Sequence, residues 1–241
     1  VKNNASKNKP VNKYKEPMLK TEPFELYASE YDEWFIRNHF AYLSEMIAIK
    51  RVLPEHGKGI EIGVGTGRFA APLGIEIGVE PSKNMRIIAE QRGISVFDGI
   101  AEKLPFEDKK FDYALMVTVV CFLDDITRSF AEAHRILKTG GSFIIGFIDK
   151  NSPLGKHYNL HKKKNHFYNM ATFYSVDEIT IILKKAGFTN LDYFQTIFHD
   201  PAELTKLEPV KPGFGQGLFV VVRGRKLDRS ANAYSRNNNE T

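Results

Sequence analysis

Residues 59–69 read Gly59-Ile60-Glu61-Ile62-Gly63-Val64-Gly65-Thr66-Gly67-Arg68-Phe69, an apolar run that breaks into alternating glycines. Glycine is required where a backbone turns sharply, or where a ligand must approach it without meeting a Cβ. The spacing is G-x-G-x-G. A dinucleotide fingerprint starting at Gly63 would need its third glycine at the position of Arg68, and no G-K-[ST] follows for a phosphate-binding loop. Nineteen positions after Glu61, the run Ile75-Glu76-Ile77-Gly78-Val79 ends in Glu80. In an open α/β sheet the tip of the second strand lies beside the glycine turn, so Glu80 can accept both ribose hydroxyls of an adenosine. Taken singly, the turn could be structural and Glu80 a surface carboxylate; together they point to a nucleoside site.

These residues need a sheet to hold them. Short apolar runs alternate with amphipathic stretches, the pattern of βαβ units. The expected fold is α/β: a doubly wound, Rossmann-like, seven-stranded and mostly parallel sheet with its last strand antiparallel and a helical cap at the N-terminus. Strands are expected near 58–63, 75–80, 94–98, 111–117, 142–148, 190–198 and 217–224. Ser82 is a plausible N-cap for a helix ending at Gly93. Asp124 or Asp125 can cap a helix with the stripe Ile126, Phe130, Ala133 and Leu137, stopping at Gly140-Gly141. Ser175 and Glu178 have the spacing of a capping box. Residues 24–53 read as helical, with a break at Asn38-His39.

The order and spacing of several segments resemble class I S-adenosylmethionine-dependent methyltransferases, in particular the branch of ubiquinone and menaquinone biosynthesis (Methyltransferase domain 11-like). The resemblance covers about residues 31–190. It rests on the glycine turn, on Gly78-Val79-Glu80-Pro81-Ser82 with Met85, on Ala101-Glu102-Lys103-Leu104-Pro105-Phe106, on Phe111-Asp112-Tyr113-Ala114, and on His134-Arg135-Ile136-Leu137-Lys138-Thr139-Gly140-Gly141. It implies S-adenosylmethionine as methyl donor and S-adenosylhomocysteine as product. Glu61 would hold the methionine end, Gly63 and Gly65 would admit it, and Glu80 would bind ribose. The turn of Ile100, Ala101 and Glu102 would face adenine, and Thr66, Gly67, Pro81, Ser82 and Thr118 would complete the donor site. Relatives often carry an acid where Ile100 stands, so adenine would be read by backbone or by Glu102.

A sulfonium methyl is already electrophilic, and a protein must mainly align acceptor, methyl and sulfur in a dry site. No catalytic residue is assigned: relatives often show a histidine pair where this chain has Val120-Cys121-Phe122. Cys121, the single cysteine, reads as a small buried residue. Residues 150–172 show neither strand alternation nor a clean helical stripe and lie where the family inserts a substrate cover. Lys150, Lys156, Lys162, Lys163 and Lys164 occur there beside His157, His161 and His166, which have no recognised metal-ligand spacing. Such a basic and aromatic cover would suit an acidic or aromatic small acceptor. Tyr27, Tyr31, Trp34, Phe122, Tyr158, Phe167 and Tyr168 are the candidate acceptor-pocket residues, although aromatics at helical spacing more often form a buried face.

The net charge of +5 is concentrated at the ends: residues 1–20 hold six lysines against one glutamate, and from Arg223 onward five basic residues face two acids, leaving the body at −3. The expected organisation is a basic tail at 1–22, a methyltransferase domain at 23–226 with a cap at 23–53 and a lid at 150–172, and a second tail at 227–241. No stretch matches a membrane span or secretory signal, and a cytoplasmic protein acting on a small molecule is expected. A nucleic-acid methyltransferase using the tails, or a non-catalytic donor-binding regulatory or assembly partner, are the alternatives.

Overall fold

The computed structural model describes residues 20–164 and 167–227. Apart from residues 20–22 and 227, the two basic tails lie outside the described residues, as does His166. The strands are β1 (Gly59–Ile62), β2 (Ile77–Val79), β3 (Ser95–Phe97), β4 (Phe111–Val117), β5 (Leu137–Ile148), β6 (Phe188–Thr196), β7 (Lys211–Pro212) and β8 (Phe219–Lys226). They form one sheet in the order β3-β2-β1-β4-β5-β8-β6-β7. Neighbours from β3 to β5 pair in parallel, and β8 runs antiparallel to both β5 and β6. The expected Rossmann-like fold is therefore present. The two-residue β7 beside β6 makes eight strands instead of seven.

Both faces of this sheet are covered, which is why its strands are apolar at successive positions. Ile60 and Ile62 of β1, Phe143, Ile145 and Phe147 of β5, and Val220 and Val222 of β8 enter one core with Phe130, Ile179 and Leu183. Tyr113, Leu115 and Val117 of β4, Ile144, Phe219 and Val221 enter the other, with Phe35, Met46 and Ile49 of the N-terminal helices. The period of two along each strand divides the residues between the two layers.

Helices α1 (Glu22–Leu26), α2 (Ala28–Arg37) and α3 (His39–Lys50) precede the sheet, with α2 and α3 meeting at Asn38 as expected. A short α4 (Ala70–Leu73) follows the glycine turn. Helix α5 (Lys83–Gln91) starts at Ser82, whose hydroxyl accepts the Met85 N–H. Helix α6 (Ile126–Ile136) is capped by Asp125 and ends one residue before the expected last stripe residue. Leu137 through Gly141 already belong to β5, because Leu137 pairs with Phe111. The 150–172 segment is also more regular than its composition suggests. Ser152 caps α7 (Pro153–His161), and a 3-10 turn spans Lys162–Lys164. Its inward face includes Leu154 and Tyr158, one helical turn apart, while Leu160 points to solvent. Helix α8 (Val176–Lys185) carries the expected capping box of Ser175 and Glu178.

The N-terminal helices are fastened over the carboxyl edge of the sheet by polar contacts. Asp32 of α2 accepts from Thr66 Oγ1 at 2.7 Å, from Arg68 Nε at 2.8 Å and from Arg92 Nη2 at 2.8 Å. Glu25 of α1 accepts from the Ser82 hydroxyl at 2.6 Å, and Lys20 donates to the Leu123 carbonyl at 2.8 Å. Burial pushes the Asp32 carboxyl up, but hydrogen bonds from Arg68, Arg92 and Thr66 outweigh it and hold the group at about 2. A carboxyl depressed on folding contributes stability that is full above its ordinary value near 4 and is lost as pH falls toward 2. A shift of this size corresponds to about 2 kcal/mol. Asp32→Ala, which leaves two largely buried guanidinium groups without their partner, should cost about 3 kcal/mol at pH 7. Urea titrations of wild type and variant at pH 7 and pH 3 should show this gap narrowing in acid; an equal gap at both would show that charge is not what the contact supplies.

Candidate functional site

A cavity of about 490 Å³ lies where the carboxyl ends of β1, β2 and β4 meet the N-terminal helices and α7. One half is built on the glycine turn. Gly63 and Val64 donate to the Val79 carbonyl at 2.8 and 3.0 Å, which joins the turn to the end of β2. Gly65 has φ +53, and a Cβ built there would meet no atom closer than Tyr31 Cε1 at 3.6 Å, so its missing side chain leaves open space. Glu80 accepts from the Gly65 N–H and the Ser82 N–H, each at 3.0 Å. Each carboxylate oxygen keeps a further lone pair for a ligand hydroxyl. Burial drives the Glu80 carboxyl up to about 7 against these donors. Glu61 is 1% exposed, and its Oε2 has no hydrogen-bond partner. Burial, and then the neighbouring Glu80 charge, raise Glu61 well above the usual carboxylate range. Glu61 is absent from the cavity lining, and a backbone hydrogen bond from Ala70 reaches its carboxyl; the open glycine and the spare lone pairs of Glu80 fit a ligand carrying a ribose.

Pro81, Ile100, Ala101, Glu102 and Thr118 also line the cavity. Glu102 Oε1 accepts from the Asp124 and Asp125 N–H groups at 3.0 and 3.2 Å, so this carboxylate is occupied in shaping the start of α6. Thr118 has φ +55, a left-handed conformation that is unusual for a β-branched residue. Its N–H donates to the Gly146 carbonyl at 2.7 Å. Strain of this kind concentrates at functional sites, and here it bends the chain off β4 toward the cavity.

The other half is aromatic. Tyr31, Trp34, Phe122, Tyr158, Phe167 and Tyr168 all line the cavity. Phe24, which the sequence reading did not single out, sits at their centre, 4.8 Å from the Phe122 ring, 5.5 Å from Phe167 and 5.7 Å from Tyr31. Phe122 and Tyr168 stack at 5.8 Å. Burial raises the Tyr158 phenol to about 12 and Tyr31 further still, so neither is a ready base at neutral pH. Cys121 is buried, and burial pushes its thiol up to about 12.

Several expected contact residues stand behind the wall instead. Thr66 is buried against Asp32, and a Cβ on Gly67 would fall 2.5 Å from Ile94 Cδ1, so that glycine permits helix packing. Ser82 caps α5 and binds Glu25. Tyr27 is 43% exposed and borders a separate hollow with Asn84 and Ile87, with its ring centroid 6.4 Å from that of Phe167. Lys150, Lys156, Lys162 and Lys163 do not line the cavity: Lys150 pairs with Glu178 at 2.6 Å, and Lys162 donates to the Ala171 carbonyl at 2.5 Å. Glu45 of α3 does line it and was missed, although an acid inside the apolar run Tyr42-Leu43-Met46-Ile47 was a visible signal.

A family profile described as "Methyltransferase domain" matches residues 60–145. The chain is 48% identical over 204 residues to an uncharacterised protein of Methanocaldococcus jannaschii, covering 85% of this chain and 98% of that one. It is 31% identical over 167 residues to a demethylmenaquinone methyltransferase of Chlorobaculum tepidum, covering 58% and 69% of the two chains. Among solved structures, a SAM-dependent methyltransferase of Thermotoga maritima, described as a possible histamine N-methyltransferase, superposes with a TM-score of 0.84 at 52% identity, covering 86% of this chain and 99% of that one. With its glycine turn and Glu80 set at the carboxyl edge of this sheet, the chain belongs to the S-adenosylmethionine-dependent methyltransferases.

Proposed function

We propose that this enzyme transfers the methyl group of S-adenosylmethionine to a small molecule held in the aromatic half of the cavity. The observation that carries the reading is that donor residues and aromatic residues line one cavity of about 490 Å³, a size typical of small-ligand sites. The bound donor supplies an electrophilic methyl. The methyltransferase domain is assigned to residues 23–226, with 23–53 as its cap. Glu80 accepts the ribose hydroxyls, and Glu61 acts on the cationic methionine end from behind the cavity wall. Gly63 and Gly65 let the backbone approach, and Pro81, Ile100, Ala101, Glu102 and Thr118 form the surrounding wall. Thr66, Gly67 and Ser82 hold that wall in place. The aromatic residues exclude water from the acceptor.

Donor entry requires the roof to move. We assign this role to α1 and α2 together with residues 150–172. The roof is fastened at Lys20, Glu25 and Asp32 and joined internally through Phe24, Tyr31 and Phe167. Backbone amides around Tyr31 and in the described part of 150–172 should exchange more slowly once S-adenosylhomocysteine is bound. Unchanged exchange in both segments would make the roof a fixed wall.

Gly65→Val places a branched side chain in the open space at a left-handed position and should abolish detectable S-adenosylhomocysteine binding in calorimetry. Near-native affinity in the folded variant would displace the donor from the glycine turn. Glu80→Gln should weaken binding ten- to hundredfold, about 1.5–3 kcal/mol, because charge-assisted bonds to ribose are lost. Since the Glu80 carboxyl sits at about 7 in the free protein and its charged form is the better acceptor, wild-type affinity should fall as pH drops through that value. The variant should lack that dependence, and its retention would assign the titration to another group.

A further inference from the structure

Glu45 is 9% exposed, lines the cavity, and has no hydrogen-bond or ion-pair partner among the described residues. A buried carboxylate without donors is costly, and nothing in the fold uses this one: neighbouring turns of α3 are held by Ala41, Ala48 and Ile49 in the core. Around it stand aromatic side chains. Tyr31 from α2, Tyr158 from α7 and Tyr168 from the following segment are all raised by burial first, and all three also feel the Glu45 charge. Trp34 and Phe35 complete the same wall.

Carboxyls outnumber basic side chains on the described cavity wall. Lys20 and Arg37 are its only Lys or Arg residues among the described ones, against Glu30, Glu45, Glu80, Glu102 and Asp124. Lys20 is already bound to the Leu123 carbonyl and lies 3.5 Å from Asp124. A carboxylate set among aromatic faces is matched by a compact cation, because ring faces attract positive charge while the carboxylate accepts its N–H groups. An anionic acceptor would require Glu45 to stay protonated.

We propose that the acceptor is a small amine whose ammonium group is bound by Glu45 in the aromatic half of the cavity. Glu45 then takes one N–H proton, and the freed nitrogen lone pair forms the N–CH3 bond as the S–CH3 bond breaks and S-adenosylhomocysteine leaves, which makes Glu45 a specificity-determining residue. This rests on the small-molecule methyl-transfer reading above. Burial raises the Glu45 carboxyl to about 8 in the free protein, so at pH 7 an arriving ammonium displaces a proton. Besides Lys20, Glu30, Arg37, Glu80, Glu102 and Asp124 named above, the other titratable groups on the described cavity wall are Tyr31, Tyr158, His161 and Tyr168. The tyrosines stay neutral across the relevant range, and their titration does not compete.

The test uses the full chain and three probes, phenethylamine, tyramine and histamine, beside the uncharged 2-phenylethanol and the anion phenylacetate. Amine binding to the S-adenosylhomocysteine complex should release a proton at pH 7, read as a binding enthalpy that varies with the buffer's ionisation enthalpy. Release of S-adenosylhomocysteine should favour amines at least tenfold. Glu45→Gln should lower kcat/KM for the amine ten- to hundredfold, through both KM and kcat, with S-adenosylhomocysteine affinity unchanged, and Glu45→Asp should retain the amine preference. Equal amine turnover by Glu45→Gln would overturn the proposal, as would turnover confined to the uncharged or anionic probes. The latter result would leave methyl transfer to a small molecule standing. Binding of S-adenosylhomocysteine with neither amine binding nor amine turnover also removes the amine assignment, whereas failure of S-adenosylhomocysteine itself to bind would bring down the donor site and not Glu45.

Discussion

Taking a carboxylate out of water costs on the order of several kcal/mol unless other donors replace the solvent. Here Glu61 and Glu80, at 1% and 7% exposure, are both withdrawn at the carboxyl edge of the sheet. The surrounding chain is arranged around that cost. Glu80 recovers two backbone N–H groups, but only because Gly65 turns its amide toward β2 and Ser82 starts a helix immediately after it. Arg86 closes the same corner by donating to the Glu80 and Pro81 carbonyls, both at 2.8 Å. Glu61 recovers less, and one of its oxygens is left without a partner. A site that stays partly unsatisfied in the free protein is one that a ligand completes.

The same constraint explains the cap. A cavity lined by the buried Glu80 would flood if the sheet edge were open, and α1 and α2 cover it. Their hold comes from Asp32, which reaches the glycine turn through Thr66 and Arg68 and the end of α5 through Arg92. Arg68 occupies the place where a dinucleotide fold would have its third glycine. Its side chain turns away from the cavity toward Asp32 and passes over the Phe35 ring at 5.8 Å. The departure from the dinucleotide pattern is thus also the attachment point of the roof.

Much of the fold could be read in the sequence because its signals are local. Apolar runs of strand length, the Ser175 and Glu178 capping box and the glycine spacing each depend on residues a few positions apart. The end of α6 could not be read, because Leu137 suits a helix stripe and a β-strand equally and is claimed by its partner Phe111, 26 positions earlier. Helix α7 was hidden because its inward face is short and its other positions are polar, so propensity and capping at Ser152 make the helix with little periodicity to announce it. Around the cavity, Glu80 and most aromatic residues were legible by type and place, whereas Glu61 is buried without lining it. Asp32 was not legible, since its partners lie 34 to 60 positions away. The lysines of the cover misled because composition does not say which side of a helix faces in.

The two halves of the cavity are built from different material. Backbone groups at the ends of β1 and β2, fixed by parallel pairing such as Glu61 with Gly78, frame the half we assign to the donor, and a strand end cannot shift without breaking its ladder. The acceptor half is lined mostly by side chains from α2, α3, α7 and the segments beside them, whose exchange leaves the sheet pairing intact. Substitution there changes shape and charge at little cost to the fold. A carboxylate at position 45 is affordable for this reason: it sits on a helix whose other inward residues, Ala41, Ala48 and Ile49, already anchor it to the core, so the chemistry of the acceptor half can vary while the donor half stays constant.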